Sequence, residues 1–110
     1  MPKVPSYNKA TEGGFQVKNV VIYYKMIKGQ NSEEVIKEVK NIIEKIQDNV
    51  VGVYIDSYDQ IDEFSSLINS DLSTIQTLYL NNELEHDFDK KVIDEIARRY
   101  RFSINYFNEL

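Results

Sequence analysis

Cysteine is absent from this 110-residue chain, which excludes a disulfide framework, a thiolate nucleophile and cysteine-ligated zinc. The absence fits a reducing compartment. Histidine occurs once, at His86, so any triad or metal centre that needs an imidazole has a single candidate. No apolar run is long enough to span a bilayer, and Met1 to Phe15 holds no apolar stretch behind a basic start, so the expected home is the cytoplasm with no membrane partner. Basic side chains are the minority, 13 against 18 acidic ones, for a net charge of -5. Such a chain is repelled by phosphate backbones, and autonomous nucleic-acid binding is not expected. Neither a Walker A loop, a G-x-G-x-x-G turn nor a G-x-S-x-G elbow is present, and no cofactor is expected.

What is present reads as a foldable chain. The 42% hydrophobic and 12% aromatic content exceeds that of disordered sequences, and this length suffices for one core without staples. Residues 1–18 hold both prolines and the Gly13-Gly14 pair without periodicity and read as a flexible leader; 19–110 read as one domain. Val20-Val21-Ile22-Tyr23-Tyr24 is a run of β-branched and aromatic residues, as expected of a strand covered on both faces. Asn31 or Ser32 opens a helix, and Asn31 with Glu34 has capping-box spacing. Val35, Ile36, Val39, Ile42, Ile43 and Ile46 form its apolar stripe, and Asp48-Asn49 closes it. Val50 to Ile55 repeats the buried-strand signature.

Beyond the loop Asp56-Ser57-Tyr58-Asp59, Ile61, Phe64, Leu67 and Ile68 outline a shorter helix, and Ile75 to Leu80 a third strand. Phe88, Val92, Ile93, Ile96, Ala97 and Tyr100 form a third stripe ending in Arg98-Arg99, charges that suit the negative end of a helix dipole. Phe102, Ile104 and Tyr106 alternate with polar residues in a last strand with one more polar face. The alternation predicts an α/β protein: a small doubly wound, three-layer fold with a four-stranded, mainly parallel sheet.

Ligands in such folds collect beyond the carboxyl ends of the strands. That reasoning selects a candidate surface of Tyr24, Lys25, Ile27, Asp56, Ser57, Asn81 and Asn82. Lys25 and Asp56 are a functional pair or, more simply, a solvated ion pair. His86 lies in Glu83-Leu84-Glu85-His86-Asp87, where a lone imidazole reads more simply as an exposed residue before a helix than as a metal ligand. Glu83 and Glu85 have no apolar wall in the sequence to raise a carboxyl pKa. No catalytic and no metal-binding residue is assigned. The many tyrosines beside strands are core or rim residues that leave a contact surface open.

Val21-Ile22-Tyr23-Tyr24-Lys25-Met26-Ile27 resembles the first strand of serine recombinase (resolvase/invertase) catalytic domains, which runs apolar-Tyr-x-Arg-Val-Ser. The resemblance continues through the strand leading to Asp56, through Phe64-Ser65-Ser66-Leu67-Ile68, and along Ile93 to Glu109. It is one of pattern and spans most of Val20 to Glu109. The family's nucleophilic serine falls at Ile27, which has no nucleophilic atom. Its neighbouring arginine falls at Lys25, which lacks the bidentate fork, and its arginine-bearing loop falls at Asn81-Asn82-Glu83-Leu84-Glu85, whose carboxylates repel phosphate.

The resemblance therefore implies a resolvase-like domain without catalysis. Its expected role is that of a protein-binding regulator, carried by a phage or other mobile element; the partner is another protein, with a homodimer left open. The alternative is an enzyme of unrecognised type with its site at the strand ends, using Lys25, Asp56 and Asn82. A small-ligand sensor with a response-regulator-like outline lacks the acidic cluster at the end of the first strand.

Overall fold

The computed structural model describes residues 17–110, so the leader expected over 1–18 lies outside the described residues except for its last two. Four strands, β1 (Asn19–Lys25), β2 (Asn49–Asp56), β3 (Thr77–Leu80) and β4 (Ser103–Tyr106), alternate with three helices, α1 (Ser32–Lys45), α2 (Asp62–Ile68) and α3 (Asp87–Tyr100). The sheet is parallel throughout, in the order β2-β1-β3-β4. The chain steps from β1 to β2 in one direction and then travels back past β1 to β3 and β4. Crossovers of a single hand must change face when the direction of travel reverses. Accordingly α1 covers one face, and α2 and α3 cover the other. The fold is the expected three-layer α/β arrangement.

β1 is one of the two interior strands and alternates between two cores. Val20, Ile22 and Tyr24 pack with Val35, Val39 and Ile42 of α1, whereas Val21 and Tyr23 pack with Phe64 and Leu67 of α2 and with Ile93 and Ala97 of α3. Leu78 and Leu80 of β3 join the second core, and Tyr79 joins the first. After β4 a 3-10 turn, Phe107–Glu109, brings Phe107 against Tyr24, with ring centroids 5.9 Å apart, and extends the α1 core. At the N-terminal end of the strands, Asn19, Asn49 and Gln76 tie the strand starts together through side-chain hydrogen bonds.

The capping box of α1 forms as its spacing predicts: Glu34 donates its backbone N–H to the Asn31 side chain at 2.9 Å, and Asn31 donates its own to the Glu34 carboxylate at 3.3 Å. The helix stops at Lys45, earlier than Asp48-Asn49, because Ile46 turns to an extended conformation while staying buried.

Other expectations are corrected. β2 is an edge strand with alternating exposure rather than a strand covered on both faces, and Val51 and Val53 lie exposed. Its register against β1 shifts between Val20 and Val21, so Val51 is an extra residue opposite no partner. This bulge resets the two-residue side-chain period, which lets Val50 and Ile55, an odd number of positions apart, pack into the same α1 core. Gly52 follows the bulge because the Tyr54 ring folds back over it: a Cβ here would sit 3.2 Å from Tyr54 Cε1. Ile36, Ile61 and Phe88, read as members of apolar stripes, are exposed, and β3 begins at Thr77 although Ile75 is buried just before it.

Candidate functional site

The β1–α1 and β2–α2 connections are tight turns that set what faces outward. Gln30 donates its N–H to the Ile27 carbonyl at 3.1 Å, and Gly29, at φ 89°, supplies the left-handed residue this turn needs. Gln60 likewise donates to the Ser57 carbonyl at 3.1 Å, and Tyr58 projects from the bend. Ile27 is thereby 60% exposed, Tyr58 50% and Ile61 52%. An aliphatic side chain at the corner of a glycine turn has no core to enter.

Two clefts flank the strand ends, one on each face of the sheet. The cleft on the α2/α3 face, about 410 Å³, is bounded by Lys25, Met26, Ile27 and Lys28, by Tyr58, Ile61 and Phe64, and by Asn82 to His86 with Asp89. The cleft on the α1 face, about 520 Å³, is more polar, with Gln30, Glu38, Asn41, Lys45, Asn81, Asn82 and Asn108 around Tyr24 and Phe107. Ile27 and Asn82 border both.

Between the clefts the topological switch point, where β1 meets β3, is closed by a side chain. Asn81 accepts the Lys25 backbone N–H at 2.9 Å and donates its amide to the Lys25 carbonyl at 3.0 Å, extending the β1–β3 ladder by one residue. The crevice in which parallel folds usually seat a ligand is thus occupied by the protein's own carboxamide.

Asp56 is equally committed. It is 2% exposed, and its carboxylate accepts the Tyr23 hydroxyl at 2.7 Å and the backbone N–H groups of Glu63 and Phe64 at 2.8 and 2.9 Å. Those two amides belong to the first turn of α2, whose own cap residue, Ile61, has no side-chain oxygen to offer. The carboxylate at the end of β2 therefore caps a helix that starts six residues further on, at Asp62. Burial, then the hydrogen bond to Asp56, then the charges of Asp56, Asp89 and Glu63 push the Tyr23 phenol well above its ordinary pKa. The hydroxyl keeps its proton and serves as a donor.

Tyr24 donates to the Glu38 carboxylate at 2.5 Å and accepts from the Gln30 amide at 2.7 Å. Burial first, and Glu38 second, push its pKa up to about 12. The Lys25 ammonium donates to the Gln60 carbonyl, which ties the β1–α1 loop to the β2–α2 loop, and it forms no ion pair with Asp56.

Of the residues selected from sequence, Lys25, Ile27 and Asn82 share the α2/α3 cleft, and Tyr24, Ile27, Asn81 and Asn82 share the α1 cleft. Asp56 and Ser57 border neither, so Lys25, Asp56 and Asn82 do not converge as one constellation. Tyr58, Ile61, Leu84 and Asp89 join the cleft wall without having been selected. The available signals were a tyrosine in a polar loop and an isoleucine at a helix start, both of which also suit a core. His86 is the exposed residue before α3, and its side chain makes no cap hydrogen bond. Among the described residues no group of three or more histidine, aspartate or glutamate side chains is placed to hold a metal ion.

Fold and site together define a four-stranded, all-parallel α/β protein whose strand-end face carries a partly apolar cleft. No protein-family model, curated protein or solved structure matches the chain. Among the described residues no helix is long and apolar enough to cross a membrane.

Proposed function

We propose that this chain is a catalytically inactive, serine-recombinase-like domain that acts as a regulator by binding another protein in the cleft between the strand ends, α2 and α3. The observation that carries this reading is the clustering of Ile27, Tyr58 and Ile61, each at least half exposed, around one cleft. Apolar side chains gathered on a concave surface are stabilised when a partner removes them from water, whereas singly scattered ones need no explanation. The commitments of Asp56 to Tyr23 and α2 and of Asn81 to β1 support the same reading, because both side chains are already engaged in holding the fold together. Ile27 stands where the resemblance would put the nucleophile, and the cleft's acidic loop is unsuited to phosphate. The absence of cysteine favours the cytoplasm, and a phage or mobile-element origin follows from the resemblance alone.

The test is quantitative affinity capture from the native host with the wild-type chain and with Ile27→Asp and Ile61→Asp variants. Proteins retained by wild type and lost from both folded variants support the proposal. Identical captures from all three, or strand nicking of supercoiled DNA that Lys25→Ala abolishes, overturn it.

A further inference from the structure

The cleft beside α2 and α3 carries its unpaired charges on opposite rims. Lys25 and Lys28 stand on the β1–α1 rim, and Glu85 and Asp89 stand on the β3–α3 rim. Among the described residues none of these four forms a salt bridge, whereas Glu83 is paired with Lys90 at 3.6 Å. Two cations thus face two anions across a hollow whose wall is apolar at Ile27, Tyr58 and Ile61. Beside the hollow stands a knob. Phe88 lies in the first turn of α3, one residue before Asp89 of the rim, and at 74% it is the most exposed large apolar side chain among the described residues. An isologous interface sets each feature of a surface against another feature of the same surface on an identical copy, so it needs a projection beside a matching hollow and rims of opposite sign. This face has both.

We infer that the cleft also takes a second copy of this chain in a two-fold dimer, with Phe88 of each copy seated in the hollow of the other among Ile27, Tyr58 and Ile61. The lysine rim of each copy then opposes the acidic rim of the other, at both ends of the interface. This inference rests on the reading of the cleft as a protein-binding surface and goes beyond it: the dimer hides the cleft, so self-association and binding of the regulated protein exclude one another.

Sedimentation velocity of the full chain over a concentration series reads the monomer–dimer equilibrium. Phe88→Asp, at a position outside the core, is expected to weaken the dimer at least about tenfold, as loss of an aromatic anchor does. Lys28→Glu and Glu85→Lys, both at exposed positions, are each expected to weaken it, because each sets like charges against one another at both ends of the interface. An equimolar mixture of these two variants is expected to dimerise as wild type does, since every exchanged charge then meets its opposite, and that recovery also shows both variants to be folded. Net charge alone predicts otherwise for Glu85→Lys, which makes an acidic chain less negative and would ease non-specific association. Phe88→Asp, with its cleft freed, is expected to capture more of the regulated protein than wild type; equal or weaker capture overturns the mutual exclusion. A chain that stays monomeric, a dimer indifferent to Phe88→Asp, or a mixture no better than its components overturns the dimer. Any of these three together with a capture that Ile27→Asp abolishes overturns the dimer alone; together with a capture that Ile27→Asp leaves unchanged, it overturns the binding function as well.

Discussion

The Tyr23 hydroxyl donates to the Asp56 carboxylate at 2.7 Å across the pairing of β1 with the edge strand β2, and the same carboxylate holds the first turn of α2. One buried anion thus joins β1, β2 and α2. Because all three donors converge on one acceptor group, its removal leaves an O–H and two N–H groups in a region with little access to water. Asp56→Ala is expected to destabilise the fold by about 3 kcal/mol, and Asp56→Asn, which keeps one acceptor oxygen, by about 1 to 2 kcal/mol. Urea unfolding measures both, and equal losses for the two variants would contradict a contribution from the acceptor oxygen that asparagine keeps.

Asn81 makes a testable claim of another kind, since its carboxamide replaces a strand residue in the β1–β3 ladder. Asn81→Ala removes both hydrogen bonds and opens the switch point, with an expected cost of about 1 kcal/mol. The Lys25 amide then exchanges faster with solvent, while amides in the middle of β1 keep their protection. Hydrogen exchange that leaves Lys25 as protected as in wild type would show that the ladder does not depend on the side chain.

The two consecutive tyrosines of β1, one in each core, set a pH dependence. Burial and the Glu38 hydrogen bond hold the Tyr24 phenol at about 12, and burial with the Asp56 hydrogen bond raises Tyr23 as well. In the unfolded chain both lose their protons near the ordinary value of 10.0. The folded state therefore binds more protons above that value, and stability falls as pH rises. The Tyr24 contribution is complete below about 10 and is lost between about 10 and 12. Tyr24→Phe is expected to flatten that decline, read as chemical unfolding midpoints across the interval, and ultraviolet titration should count a late-ionising tyrosine fewer in the variant.

Arg101 ends α3 in the left-handed conformation, φ 63° and ψ 42°, and its N–H donates to the Ala97 carbonyl. Glycine adopts this geometry without the Cβ clash, though it loses more freedom on folding. The clash is the larger of the two, so Arg101→Gly is expected to stabilise the fold by about 0.5 kcal/mol. A lower thermal midpoint for the variant would contradict this.

The alternation of apolar runs with helical stripes in this chain specified the α/β class, the order of the elements and the capping box of α1, because each depends on residues within a few positions of one another. Side-chain period alone cannot tell an edge strand from a central one, so the apolar residues of β2 read as doubly covered until the order β2-β1-β3-β4 put them at the margin. The bulge at Val51, which carries Val50 and Ile55 to the same core, is likewise a matter of pairing with β1. The strand ends were legible as the place for a site, but the employment of each residue there was not. Asp56 reads as a free carboxylate until α2 folds back to put Glu63 and Phe64 amides against it, and Ile61 reads as a core residue until that same helix starts one position later. Contacts between segments far apart in the chain decided which polar groups were satisfied and which apolar ones were left exposed, and those are the quantities on which a binding surface depends.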